Sequence, residues 1–99
     1  MCIRDRAKSL EENRLQLALL HALTTIATTS DIEKIQNNLL AIRRIVSRMI
    51  ELNLWDEEKR TELLETLDEL ANTWEYYGRG EIAEIYRAES QYYAQYSTQ

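Results

Sequence analysis

Proline and phenylalanine are missing from these 99 residues, and glycine occurs twice, at Gly78 and Gly80. Strand-connecting turns and phosphate-cradling loops take their backbone angles from glycine and proline. A β-rich domain or a nucleotide-binding α/β domain therefore has almost nothing to be built from. The one cysteine, Cys2, allows no intrachain disulfide. The one histidine, His21, cannot supply the clustered imidazoles of many catalytic metal sites. No apolar run approaches the roughly 18 residues that span a bilayer, and the start lacks the apolar segment of a secretory signal. These absences set the expectation of a cytoplasmic protein without membrane association.

What is present suits one folded domain, the size at which single domains cluster. With 44% hydrophobic and 29% charged residues the chain holds both a core and a soluble surface, which sets it apart from disordered sequences. Helix signals are dense. Ser9 with Glu12, and Ser30 with Glu33, fit the capping box that opens a helix. Asn53 or Asp56 can cap a third helix, and Gly78 and Gly80 can end it in a left-handed turn before a fourth.

The predicted helices cover about 8–28, 31–53, 56–77 and 81–96. Connections this short return consecutive helices antiparallel, so the fold class is all-α, an up-down-up-down four-helix bundle. One domain is expected over 8–96, with residues 97–99 frayed and 1–7 a disordered or artefactual leader. Met1 to Arg6 carries no periodicity and is similar to extensions at the front of reading frames assembled from environmental DNA.

In the second helix Ile32, Ile35, Leu39, Ile42, Val46 and Met49 alternate steps of three and four, as a coiled-coil seam does. Leu63, Leu67, Leu70, Trp74 and Tyr77 repeat that spacing in the third, so these two helices are expected to form the core hairpin. The first helix is apolar on two sides. Leu15, Leu19, Ala22 and Ile26 fill one, while Leu10, Leu17 and Leu20 lie nearly opposite, and a two-sided helix wants two partners. A homodimer joined through Leu10, Leu17 and Leu20 is expected, the alternative being a central helix in a lopsided monomer.

Charge is uneven. Residues 54–77 carry eight acids and two bases, so their balance of 2 − 8 = −6 exceeds the −5 of the whole chain. Glu58, Glu62, Glu65 and Glu69 recur at three- and four-residue steps, a row about 5–6 Å between neighbours on one helix face. Arg43, Arg44 and Arg48 are the expected internal answer. The alternative is that the row docks a basic surface.

All eight aromatic residues are tyrosine or tryptophan, rings suited to surfaces that are apolar at one end and wet at the other. The six tyrosines, Tyr76, Tyr77, Tyr86, Tyr92, Tyr93 and Tyr96, all fall in the last quarter of the chain. Tyr77, Tyr86 and Tyr93 are expected to close the open end of the bundle. Tyr76, Tyr92 and Tyr96 are candidates for partner binding. On the fourth helix Ile82, Ile85, Tyr86, Tyr93 and Tyr96 form the buried stripe with Glu89 at its centre, which makes Glu89 a buried-polar candidate and Arg43 its candidate partner.

No catalytic constellation emerges. A di-iron carboxylate bundle needs Glu-x-x-His, whereas Ala18 stands three residues before His21. The threonine-rich run 24–30 reads as a weakening helix end whose hydroxyls bond back to the backbone, and His21 is expected on the surface. No enzyme activity, cofactor or metal is expected, and helix-three charge argues against direct nucleic-acid binding. The expected function is a small non-enzymatic helical module that binds a protein through the acidic third-helix face and the tyrosine-rich fourth-helix end. Alternatives are an acidic inhibitor of phage or mobile-element kind that mimics nucleic-acid charge, a structural homodimerisation subunit, and a carrier using Glu89 and nearby tyrosines.

Overall fold

The computed structural model describes residues 3–95, with side chains described from residue 9. The chain is all-α: helices α1 (Ile3–Ala27), α2 (Ile32–Glu51), α3 (Glu57–Tyr76) and α4 (Gly80–Gln95) follow one another, with no strand among the described residues. Two compact units divide it, Met1–Trp55 and Asp56–Gln99. Each is a helical hairpin, α1 with α2 and α3 with α4.

The helix ends follow from named residues. The Asp31 carboxylate accepts the Glu33 and Lys34 backbone N–H groups at 3.0 and 3.4 Å, so Asp31, and not Ser30, caps α2. Asp56 caps α3 by accepting the Lys59 N–H at 2.9 Å. The same bond is the first cause holding the Asp56 carboxyl below its ordinary pKa. α1 begins at Ile3, which puts Ser9 inside the helix and includes residues 3–7, expected outside the fold, within it.

Two helices close alike. Asn53 at φ 59° and Gly78 at φ 79° take the left-handed position. The next residue then donates back, Leu54 N–H to the Met49 carbonyl at 2.8 Å and Arg79 N–H to the Trp74 carbonyl at 2.9 Å. This is the Schellman pattern, which satisfies carbonyls that a helix end leaves open. At the end of α1 the hydroxyls of Thr24, Thr25 and Thr28 bond back to the carbonyls of Leu20, His21 and Thr24, as the composition of that run predicts.

In the first unit five of the six seam residues of α2, Ile35, Leu39, Ile42, Val46 and Met49, are buried, and Ile32 is half-buried. Ala22 and Ile26 of α1 are buried too, while Leu15 and Leu19 are half-buried. Burial of each large aliphatic side chain contributes about 1.5–3 kcal/mol. Arg48 Nε meets Glu11 Oε1 at 2.6 Å. Both residues lie equally far from the 28–31 connection, which fixes α1 and α2 as antiparallel.

In the second unit Leu63, Leu67 and Ala71 of α3 are buried, and so are Ile82, Ala83, Tyr86, Glu89, Ser90 and Tyr93 of α4. Ser90 Oγ donates to Asp68 Oδ1 at 2.9 Å, and Arg87 pairs with Glu75. The Ser90–Asp68 pair, with both partners roughly ten residues from the 77–79 connection, fixes α3 and α4 as antiparallel.

The pairing corrects the expectation that the second and third helices form the core hairpin. They belong to different units; α2 pairs with α1, and α3 with α4. An apolar seam records which residues leave water and is silent on which other seam they meet. Tyr77 is a second correction. It follows the last residue of α3 and is 67% exposed, so the 100° periodicity that would have turned it inward no longer applies.

Candidate protein-interaction surface

The buried residues Leu63, Leu67 and Ala71 fix which side of α3 faces water. At 100° per residue, Glu58, Glu62, Glu65 and Glu69 lie about half a turn away, and all four are exposed. The row continues past the carboxylates. Asn72 and Tyr76 fall at the next steps of three and four, and Tyr76 lies 18 residues beyond Glu58, five complete turns, so the two share one angular position. The surface is a strip roughly 27 Å long, at 1.5 Å per residue, acidic along most of its length and aromatic at one end.

Electrostatics leave the strip open. The hydroxyls of Thr66 and Thr73 bond to the backbone carbonyls of Glu62 and Glu69 and do not touch the carboxylates. Among the described residues no ion pair engages the side chains of Glu58, Glu62, Glu65 or Glu69. Arg48, expected to answer them, is held by Glu11 and by Glu51 at 3.0 Å. Lys59 and Arg60, on α3 itself, pair with Asp56 and Glu57 in its first turn.

The aromatic end is a cluster. Tyr76 is 86% exposed, and its ring stands 5.5 Å from that of Tyr77 at 78°. Trp74 meets Tyr77 edge-on at 6.4 Å. Away from this end, two residues past the Ser90 that bonds to Asp68, Tyr92 of α4 is 37% exposed and stacks edge-on against buried Tyr93 at 5.0 Å. Tyr86 is fully buried, and that burial pushes its phenol pKa up to about 12. Tyr96 lies outside the described residues.

No protein-family model matches the chain. No curated protein and no solved structure matches it either. The surface chemistry therefore carries the functional reading by itself.

Glu89 is buried on α4, at 6% exposure, and Arg43 is half-buried on α2. Among the described residues no group of three or more His, Cys, Asp or Glu side chains is placed to hold a metal ion, and no helix is long and apolar enough to cross a membrane. His21 is exposed. Leu10, Leu17 and Leu20 stand in water at 62%, 67% and 61% exposure, on the side of α1 away from Ala22 and Ile26.

Two surface features escaped the sequence reading. Leu40 is 51% exposed; the doublet Leu39-Leu40 was the available signal, since one seam takes only one of two adjacent residues. The alignment of Tyr76 with the acidic row was also present in the numbering, as a continuation of the same three-four steps.

Proposed function

We propose that this protein is a small non-enzymatic helical interaction module that docks a basic protein surface on the outward strip of α3. The carboxylates of Glu58, Glu62, Glu65 and Glu69 attract the partner's cations, and Tyr76 seats in an apolar recess beside them. Tyr92 and Tyr96 of the fourth-helix end contribute to the same binding. The observation that supports this reading is the single row shared by four unanswered carboxylates and a ring that is 86% exposed. Exposed aromatic anchors are enriched at protein interfaces. A cytoplasmic setting agrees with the lack of any intrachain disulfide, and the leucines exposed on α1 support a homodimer as the working form.

Tyr76 has no counterpart in a nucleic-acid backbone, so an exposed ring in the acidic row favours a protein groove over nucleic-acid mimicry.

The test is affinity capture at low and high salt with wild type, Glu62→Lys with Glu65→Lys, and Tyr76→Ala. A partner held at 50 mM salt and released as salt rises, and lost by both variants with helicity unchanged in circular dichroism, is the expected result. A partner kept by both variants would overturn the assignment of this face.

A further inference from the structure

The outward side of α1 carries more than three isolated leucines. Leu10, Asn13, Leu17, Leu20 and Thr24 follow one another at steps of three, four, three and four, the a/d spacing of a coiled coil. All five are exposed. The opposite side holds Leu15, Leu19, Ala22 and Ile26, which are buried or half-buried within the α1–α2 hairpin. α1 thus carries two seams, one filled and one open. Thr24 belongs to the open one by its position, with its hydroxyl satisfied by the Leu20 carbonyl at 2.8 Å.

We infer that the open seam is filled by α1 of a second copy of this chain. This rests on the homodimer reading and assigns its contact. Three arguments select a second copy over a different protein. The first is area. Each exposed leucine offers on the order of 100 Å² of apolar surface. Leu10, Leu17 and Leu20 from two copies then give roughly 600 Å², the larger part of the apolar share of a standard 1,600 Å² interface.

The second is charge. The acidic member of the nearest helix turn, Glu11, is held by Arg48 in the chain's own hairpin, and Arg14 is the one charge flanking the open seam from Leu10 to Thr24. Like faces therefore meet without the repulsion that two α3 strips would suffer. The third is Asn13. One polar residue in an otherwise leucine-rich seam sets register and oligomer state at some cost in affinity, a device of self-pairing helices.

The test is sedimentation equilibrium of the full chain under reductant, so that Cys2 cannot link two copies. A species of twice the 11.7 kDa chain mass is expected. Leu17→Glu, at a position exposed in the single chain and so compatible with folding, should raise the dissociation constant about tenfold or more. Asn13→Leu should lower it, since the polar layer is removed. A wild type that stays monomeric at 100 μM, a dimer indifferent to Leu17→Glu, or a dimer weakened by Asn13→Leu each overturns the assignment. Partner capture through α3 by the Leu17→Glu variant reads the other surface separately, so the two proposals fail independently.

Discussion

Arg48 joins Glu11 across the first hairpin, guanidinium Nε to carboxylate Oε1 at 2.6 Å, between residues 37 positions apart in the chain. The hydrogen bond from Arg48 is the first cause that lowers the Glu11 pKa from 4.5, and Glu11 in turn raises that of Arg48. A carboxyl whose folded pKa is depressed contributes stability above its unfolded pKa and loses it as pH falls through the folded value. Arg48→Ala should therefore lower the melting temperature slightly at pH 7, and the difference from wild type should shrink as pH falls below the ordinary glutamate range and through the depressed folded pKa of Glu11. Both groups face water, so high salt should shrink the effect. Thermal melts at pH 7 and 3, each at two salt concentrations, check it.

The two glycines should respond oppositely to alanine. Gly78 stands at φ 79° with nothing within 4 Å of an added methyl, so Gly78→Ala meets only the backbone penalty of the left-handed region, about 1–2 kcal/mol. Gly80 begins α4, lacks a positive φ and also has open space around it. Gly80→Ala should stabilise by about 0.4–1 kcal/mol by reducing the freedom of the unfolded chain. Urea unfolding of the two variants should move the midpoint in opposite directions.

Much of this was legible in the sequence. The seam of α2 announced five buried residues by spacing alone, and the acidic row of α3 announced its exposure by the same rule. Who pairs with whom was not legible. The 28–31, 52–56 and 77–79 connections are all short, so loop length favours no hairpin over another, and periodicity does not label its partner. The cap of α2 lies one residue from the sequence reading, Asp31 in place of Ser30, because its carboxylate reaches two backbone N–H groups, whereas Ser9 falls inside α1 and caps nothing. Tyr77 was misread because a helical angle was carried past the residue where the helix ends.

Tyr86 should ionise well above the ordinary phenol range. Burial raises its pKa from 10.0 to about 12. For a group raised in the folded state the associated stability is complete below the unfolded pKa and is lost as pH climbs through the folded one. Unfolding midpoints should hold to about pH 10 and fall between 10 and 12, with a late absorbance step assigned to Tyr86 by its loss in Tyr86→Phe. Tyr86→Ala removes a fully buried ring and should cost about 3–5 kcal/mol.

Ser90 and Asp68 tie α4 to α3. The Ser90 side chain lies in a residue only 8% exposed and donates to the Asp68 carboxylate at 2.9 Å. A hydrogen bond to a charged group contributes about 1.5–3 kcal/mol at most, less where water reaches the acceptor, as it does at exposed Asp68. Ser90→Ala should thus cost about 1 kcal/mol. In a double-mutant cycle with Asp68→Ala the coupling should match that figure, and a coupling of zero would show the bond to be idle.

The acidic strip sets stability against binding within one helix. Glu58–Glu62 and Glu65–Glu69 are like charges at four-residue spacing, and each such pair costs a helix roughly 0.2–0.5 kcal/mol. No ion pair among the described residues engages them. Glu62→Gln with Glu65→Gln should raise the melting temperature of the free protein, and added salt should stabilise wild type more than this variant, because screening relieves a repulsion only wild type retains. If the row exists to meet a basic partner, the same substitutions should weaken capture. A variant that is less stable than wild type would mean the carboxylates hold the fold together, and the strip would then owe its regularity to structure and not to a partner.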